Sequence, residues 1–186
     1  YREFDDSRYF FDLRKLALEE DKKLEDLISP VKTSKGSLGC ILCEDAWDKD
    51  YHISPLKILK EKEPDLYINI SCSPYTYNKN HKRNRVFSDH AKEIGRPLAY
   101  VNNTGIQNNG KTIYTFDGRT CIYDCFGNQE AIEEPFKEDE LTLDLNIGVA
   151  TETNSFSTPI KLIDEGIPDT FRAIQYGTKK FMHSIG

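Results

Sequence analysis

The string Cys43-Glu44-Asp45-Ala46-Trp47 holds the clearest candidate for covalent chemistry. It closes a short apolar run, residues 38–43, that reads as a strand. The carboxyl ends of strands in α/β proteins commonly carry the active groups. A thiol placed there can attack a carbonyl carbon and form a thioester. Its neighbours oppose this, because Glu44 and Asp45 are anions and anions raise a nearby thiol's pKa. A working nucleophile therefore needs a cation or general base from elsewhere in the chain. Lys79, Lys82, Arg83 and Arg85 are candidates, since they follow the next predicted strand and its loop. The plain alternative is that Cys43 is a small buried hydrophobe.

The chain has five cysteines: Cys40, Cys43, Cys72, Cys121 and Cys125. An odd count without a secretory signal points to reduced thiols and a cytoplasmic setting. Cys40 and Cys43 have metal-ligand spacing, and Cys121 and Cys125 could complete a four-thiolate zinc site. A strand through residues 39–43 turns its side chains to alternate faces. Positions 40 and 43 then point apart, so no metal is expected. A non-catalytic domain stapled by zinc on four cysteines remains the alternative.

The elements that must position these groups follow from periodicity. Leu13, Leu16, Ala17, Leu24, Leu27 and Ile28 have helical spacing, and Pro30 stops the pattern. A turn is expected at residues 32–37. Ser54-Pro55 is a good helix start, a capping hydroxyl followed by proline in the first turn, for a helix to about residue 63. Residues 66–70 read as an apolar strand and 71–78 as a polar loop. A helix over residues 79–94 carries Val86, Phe87, Ala91 and Ile94 on one stripe, and Gly95 ends it. Residues 98–101 give a third strand. This alternation argues for an α/β layered domain, and the unbroken apolar strands suggest burial on both faces. Asp117-Gly118 is a hairpin signal between β-rich segments at 111–116 and 119–125. Gly127-Asn128 marks a further turn, and residues 141–145 alternate like a half-buried strand. Residues 146–166 look like a connecting segment. A last helix starts at Pro168, with Phe171, Ile174, Phe181, Met182 and Ile185 as its apolar stripe.

The 186 residues suit one domain with a short extension. Net charge is −6 and the pI is near 5.3. An acidic surface gives no electrostatic reason to expect nucleic acid or an anionic membrane as partner. No apolar run approaches the roughly 20 residues needed to span a bilayer. The chain opens at Tyr1 and closes just as its last helical pattern finishes, so it reads as a piece of something longer.

The stretch Cys40-Ile41-Leu42-Cys43-Glu44-Asp45-Ala46-Trp47 resembles the nucleophile segment of the nitrilase superfamily. More closely, it is similar to the amidase half of the glutamine-dependent NAD synthetases. Tyr1 to Phe10 resembles that family's tyrosine, phenylalanine and Arg-Tyr-Phe segment. Asn69-Ile70-Ser71-Cys72-Ser73-Pro74-Tyr75, with Lys79 and Arg83 behind it, resembles the substrate-side loop. Tyr100 to Gly105 with Phe116-Asp117-Gly118 resembles a later strand and hairpin. Pro168 to Gly186 resembles the first helix of the synthetase domain. The match runs in order along nearly the whole chain.

The resemblance implies an α/β fold, a nitrilase-type α-β-β-α sandwich incomplete at its N-terminal end. It divides the chain into the C-terminal part of the amidase domain (1–150), a connecting segment (151–167) and the first synthetase helix (168–186). It implies a Glu-Lys-Cys triad in which Cys43 attacks the side-chain amide of glutamine. Lysine steadies the oxyanion and glutamate shuttles the proton. Tyr1, Glu44, Trp47, Ser73 and Lys79 would line or contact the glutamine site. Each has an ordinary structural role as alternative: a chain end, a turn, a solvated helix-start charge or a core ring. Ammonia would pass to a synthetase domain, where deamido-NAD, ATP and magnesium react. No cofactor is implied for the present chain, and a homo-oligomer is. A stand-alone nitrilase-type carbon–nitrogen hydrolase is the other enzyme reading.

The sequence also departs from the family pattern. The triad lysine should lie just before Tyr1 and the glutamate much earlier, and neither is in this chain. Lys79 matches a different family position. The stretch between Phe10 and Gly39 is more helical and charged than the family's, and the loop at 106–111 is longer. The chain alone is therefore expected to be an incompetent amidase.

Overall fold

A computed structural model describes residues 10–145, 147 and 166–186. Its centre is a sheet of six strands in the order β1-β2-β3-β4-β7-β8. β2 (Gly36–Leu42), β3 (Leu66–Ser71) and β4 (Leu98–Asn102) run parallel. β1 (Val31–Thr33), β7 (Cys121–Tyr123) and β8 (Gln129–Ile132) join antiparallel at the two sides. A separate hairpin pairs β5 (Thr104–Asn108) with β6 (Ile113–Asp117).

α3 (Pro55–Lys60) and α4 (Lys79–Ile94) connect the parallel strands and contribute to a common core. Ser54 caps α3 through its hydroxyl, and Gly95 ends α4 in the left-handed conformation, as their residue types require. Leu56, Leu59, Phe87 and Ala91 bury themselves against Ile41, Tyr67, Leu98, Tyr100 and Tyr123. Phe87 is the hub. Its ring centroid lies 4.7 Å from Tyr100, 6.2 Å from Tyr123 and 6.5 Å from Trp47.

Several expectations are corrected. The strands are apolar on both sides, yet among the described residues one side is fully buried and the other only in part. Burial alternates along β3 and β4, and Leu42, Ile70 and Val101 on the other side are 63%, 53% and 40% exposed. The described residues thus form one large sheet covered by helices on one side, with the separate β5–β6 hairpin beside it. The helix anticipated over residues 13–28 is two, α1 (Leu13–Glu19) and α2 (Leu24–Leu27), broken where Asp21 adopts φ +51°. Residues 31–42 form a hairpin rather than a turn and a strand, and β8 follows the Gly127-Asn128 turn. Residues 141–145 carry no strand.

Asp117-Gly118 is not a hairpin turn. β6 pairs with β5 and β7 pairs with β4, so this dipeptide carries the chain from one sheet to the other. The Asp117 carboxylate is wholly buried and bridges Arg83, 3.1 Å away, and Arg119, 3.4 Å away. Gly118 has φ +67°, and a Cβ there would sit 2.4 Å from the Thr104 hydroxyl. Glycine relieves both the positive φ and this close approach.

α5 (Gly166–Ser184) begins two residues before the expected start and docks on the β5–β6 hairpin. Its inner face holds Asp169, Ala173 and Gly177, and a Cβ on Gly177 would approach the Thr115 hydroxyl to 2.6 Å. The apolar stripe faces outward instead, with Phe171 and Ile174 59% and 61% exposed. Periodicity identified the stripe, but a small-residue face made the closer contact. Among the described residues, no helix is long and apolar enough to cross a membrane.

Candidate active site

β2 ends at Leu42, and Cys43 opens a 3-10 turn, Cys43–Ala46. Cys43 has φ +34°. Positive φ is uncommon for a residue with a Cβ, and such residues gather where the surroundings over-determine the backbone. Here several groups do so. The Asp45 carboxylate accepts from the Leu42 amide at 2.8 Å. The Asn69 side chain donates to the Cys43 carbonyl at 3.3 Å. The Trp47 amide donates to the Glu44 carbonyl at 2.8 Å. The His90 Nε2, 2.6 Å from the Ala46 carbonyl, can be joined to it only as an N–H donor. The thiol is half-exposed.

This turn lines a wide cleft of roughly 1930 Å³ at the carboxyl ends of the parallel strands. Cys43, Glu44, Trp47, Ser73 and Lys79 all line it. Those are five of the six residues singled out in the sequence. The sixth, Tyr1, lies outside the described residues, as do 148–165 of the connecting segment. Among the cations weighed for Cys43, Arg83 is consumed by Asp117 and lies fully buried. Lys82 reaches over the Trp47 ring, 5.2 Å from its centroid. Lys79 is the one held inside, its ammonium donating to the Pro74 carbonyl at 3.2 Å. Burial pushes the Lys79 pKa down and the Arg83 charge adds to this, while Cys43, Asp117 and Glu44 pull it back.

The two acids beside the cysteine have separate tasks. Asp45 turns back to cap the 3-10 turn, and burial raises its pKa. Glu44 accepts from the Tyr51 hydroxyl at 2.9 Å on the cleft wall. Ser73 is buried, and its backbone is gripped at both ends by Asn102. Its N–H donates to Oδ1 at 2.8 Å and its carbonyl accepts from Nδ2 at 3.2 Å. Trp47 lines the cleft and also packs T-shaped against Phe87, so the ring serves both as wall and as core.

Cys72 lines the same cleft and is exposed, and partial desolvation raises its pKa. Cys40 lies on the exposed side of the sheet, and Cys121 is buried on the covered side. Among the described residues, no group of three or more His, Cys, Asp or Glu side chains could hold a metal ion. Asn69 and Asn102 were not singled out from sequence. Their signal was present, as a carboxamide inside or ending an apolar strand needs a partner.

No family model matches the chain. A glutamine-dependent NAD(+) synthetase of Synechocystis sp. is 28% identical over 195 aligned residues, covering 100% of this chain and 31% of that protein. The chain is similar to one part of the glutamine-dependent NAD(+) synthetases. It spans about a third of the length of that relative. The Acinetobacter baumannii glutamine-dependent NAD+ synthetase, solved with ADP, superposes with TM-score 0.65 at 20% identity, over 83% of this chain and 27% of that one. A carbon–nitrogen hydrolase from Helicobacter pylori superposes with TM-score 0.51 at 24% identity, over 60% and 41% of the two chains. The fold is that of the carbon–nitrogen hydrolases, the nitrilase-type architecture anticipated above.

Proposed function

We propose that this chain is the glutamine amidase part of a glutamine-dependent NAD synthetase. The Cys43 sulfur adds to the side-chain carboxamide carbon of glutamine. The carbon–nitrogen bond breaks, and ammonia leaves after taking up a proton. Water then cleaves the thioester, releasing glutamate and returning a proton to the thiol. The ammonia amidates deamido-NAD to NAD in an ATP-dependent synthetase portion, of which α5 is the first helix. The lysine and glutamate that assist Cys43 come from residues outside this chain, so the 186 residues alone are inactive. Magnesium belongs with ATP. The working protein is a cytoplasmic homo-oligomer.

One observation carries the reading. A partly exposed cysteine at positive φ directly follows a parallel strand and shares a cleft with Glu44, Trp47, Ser73 and Lys79. Treating the full-length parent with diazo-oxo-norleucine, an electrophile shaped like glutamine, tests it. Peptide mapping should find a single adduct on Cys43, and none in Cys43→Ser. Cys72 is an internal competitor in the same cleft. An adduct confined to Cys72 would defeat the assignment.

A further inference from the structure

Resting on that reading, we propose that Asp169 and Thr170, in the first turns of α5, are positioning residues for the glutamine side of the cleft. They act through Tyr75 and Arg119 on the loop that bears Ser73 and on the helix that bears Lys79. Neither residue lines the cleft itself.

Two routes connect them. In the first, the Tyr75 hydroxyl lies 3.0 Å from the Thr170 hydroxyl. Thr170 already donates to the Gly166 carbonyl at 3.2 Å, so Tyr75 is the donor between them. The Tyr75 amide also donates to the Thr115 carbonyl at 2.7 Å. Its ring meets Phe136 at 5.7 Å, and Phe136 meets Tyr176 of α5 at 5.5 Å. Tyr75 follows Ser73-Pro74 directly, and the Pro74 carbonyl holds the Lys79 ammonium. The loop is thus fastened to α5 at Tyr75, the one residue between Cys72 and Lys79 that does not line the cleft.

In the second route, every charged member is buried. Asp169 pairs with Arg119, Arg119 with Asp117, and Asp117 with Arg83 on α4. The Asn102 side chain, which clamps the Ser73 backbone, donates to the Gly118 carbonyl at 3.0 Å beside this chain of charges. Removing α5's end of either route frees a loop whose placement the cleft depends on. Both routes start within two adjacent residues of one helix. That is the geometry of a brace and not of scattered packing.

The test uses the full-length parent with Thr170→Val, Thr170→Ser and Tyr75→Phe. Asp169→Asn is a fourth variant, read only if its melting temperature stays near wild type. Thr170→Val and Tyr75→Phe should raise the glutamine KM about tenfold with kcat nearly unchanged, since displacement of binding groups weakens binding more than chemistry. The rate of Cys43 labelling by diazo-oxo-norleucine should fall in step. Labelling by iodoacetamide, which needs no glutamine pocket, should not. Thr170→Ser keeps the hydroxyl and should restore both readouts. Wild-type KM in folded Thr170→Val and Tyr75→Phe would overturn the brace while leaving the amidase reading intact. So would an equal fall in both labelling rates, which marks general loosening. A wild-type parent that hydrolyses no glutamine would remove both.

Discussion

The two faces of the six-stranded sheet look alike in sequence and differ entirely in the structure. On the covered face, Tyr100 and Tyr123 meet Phe87 of α4, Tyr67 is buried in the same cluster, and Asn69, Ser71 and Asn102 carry the polar contacts that reach the cleft. On the other face, Leu42, Ile70 and Val101 stand open. The covered face is therefore where specificity lies: aromatic rings, a buried ion chain and the carboxamides that shape the Cys43 turn and the Ser73 loop. The open face is simple aliphatic surface, as one sheet of a sandwich presents to another. The lesson is that apolar composition marks what can be buried. Only long-range packing decides what is.

The contrast is sharpest where a substitution should cost most. Phe87→Ala removes a ring that touches Tyr100, Tyr123 and Trp47 with no exposed surface of its own. About 4 kcal/mol of unfolding free energy should be lost, transfer and cavity combined, measured by denaturant titration. A loss under about 1 kcal/mol would mean the covered face is loosely packed. Asp117→Asn comes next. It leaves Arg83 and Arg119 buried without their shared carboxylate, for a loss of about 3 kcal/mol. Near-neutrality there would show that water reaches the arginines.

A smaller effect lies at the amino ends of β2 and β3, away from both faces. The Asp65 carboxylate accepts from the Ser37 amide at 2.7 Å and the Ser37 hydroxyl at 2.8 Å. These bonds hold its pKa below the usual value of 3.8. For a depressed acid, the added stability is fully present above the unfolded-state pKa and is lost as pH falls through the folded one. Asp65→Asn should therefore cost about 1 kcal/mol at pH 7, discounted for exposure. The difference from wild type should vanish in acid. A pH-independent difference would assign the effect to packing.

How much of this was legible depends on whether the deciding contact was local. The bounds of α4 were readable because helical periodicity, Gly95 and the preceding polar loop agree within one stretch. β3 and β4 were readable as apolar runs between turn residues. The Asp117-Gly118 crossing was not, because its carboxylate answers to Arg83 on another element and β6 and β7 choose distant partners. The α5 stripe was legible as a stripe. Its outward direction was not, because docking was decided by Gly177 against Thr115 and Asp169 against Arg119. At the site, Cys43 stood out as a thiol at a strand end and Lys79 as a candidate cation beyond the next loop, while Ser73 and Trp47 came through the family resemblance. Asn69 and Asn102 show what closer attention to lone polar residues in apolar strands would have added.

The smallest expected effect tests the comparison most directly. Ile70→Thr keeps a β-branched side chain, so strand propensity is nearly preserved. Ile70 is half-exposed, and its neighbours across the sheet, Leu42 and Val101, are exposed too. In this chain the substitution should change unfolding free energy by no more than about 0.5 kcal/mol. It should also weaken binding of a hydrophobic dye, because it interrupts the apolar patch. The same change in a full-length parent should behave differently. If a second sheet covers this face there, a hydroxyl replaces a methyl group in a dry interface, at about 2 kcal/mol. Equal small effects in both proteins would mean that this face stays open even in the complete fold. Equal large effects would mean that the isolated chain already covers it, by self-association. Only the unequal result agrees with one finished face and one waiting for its partner sheet.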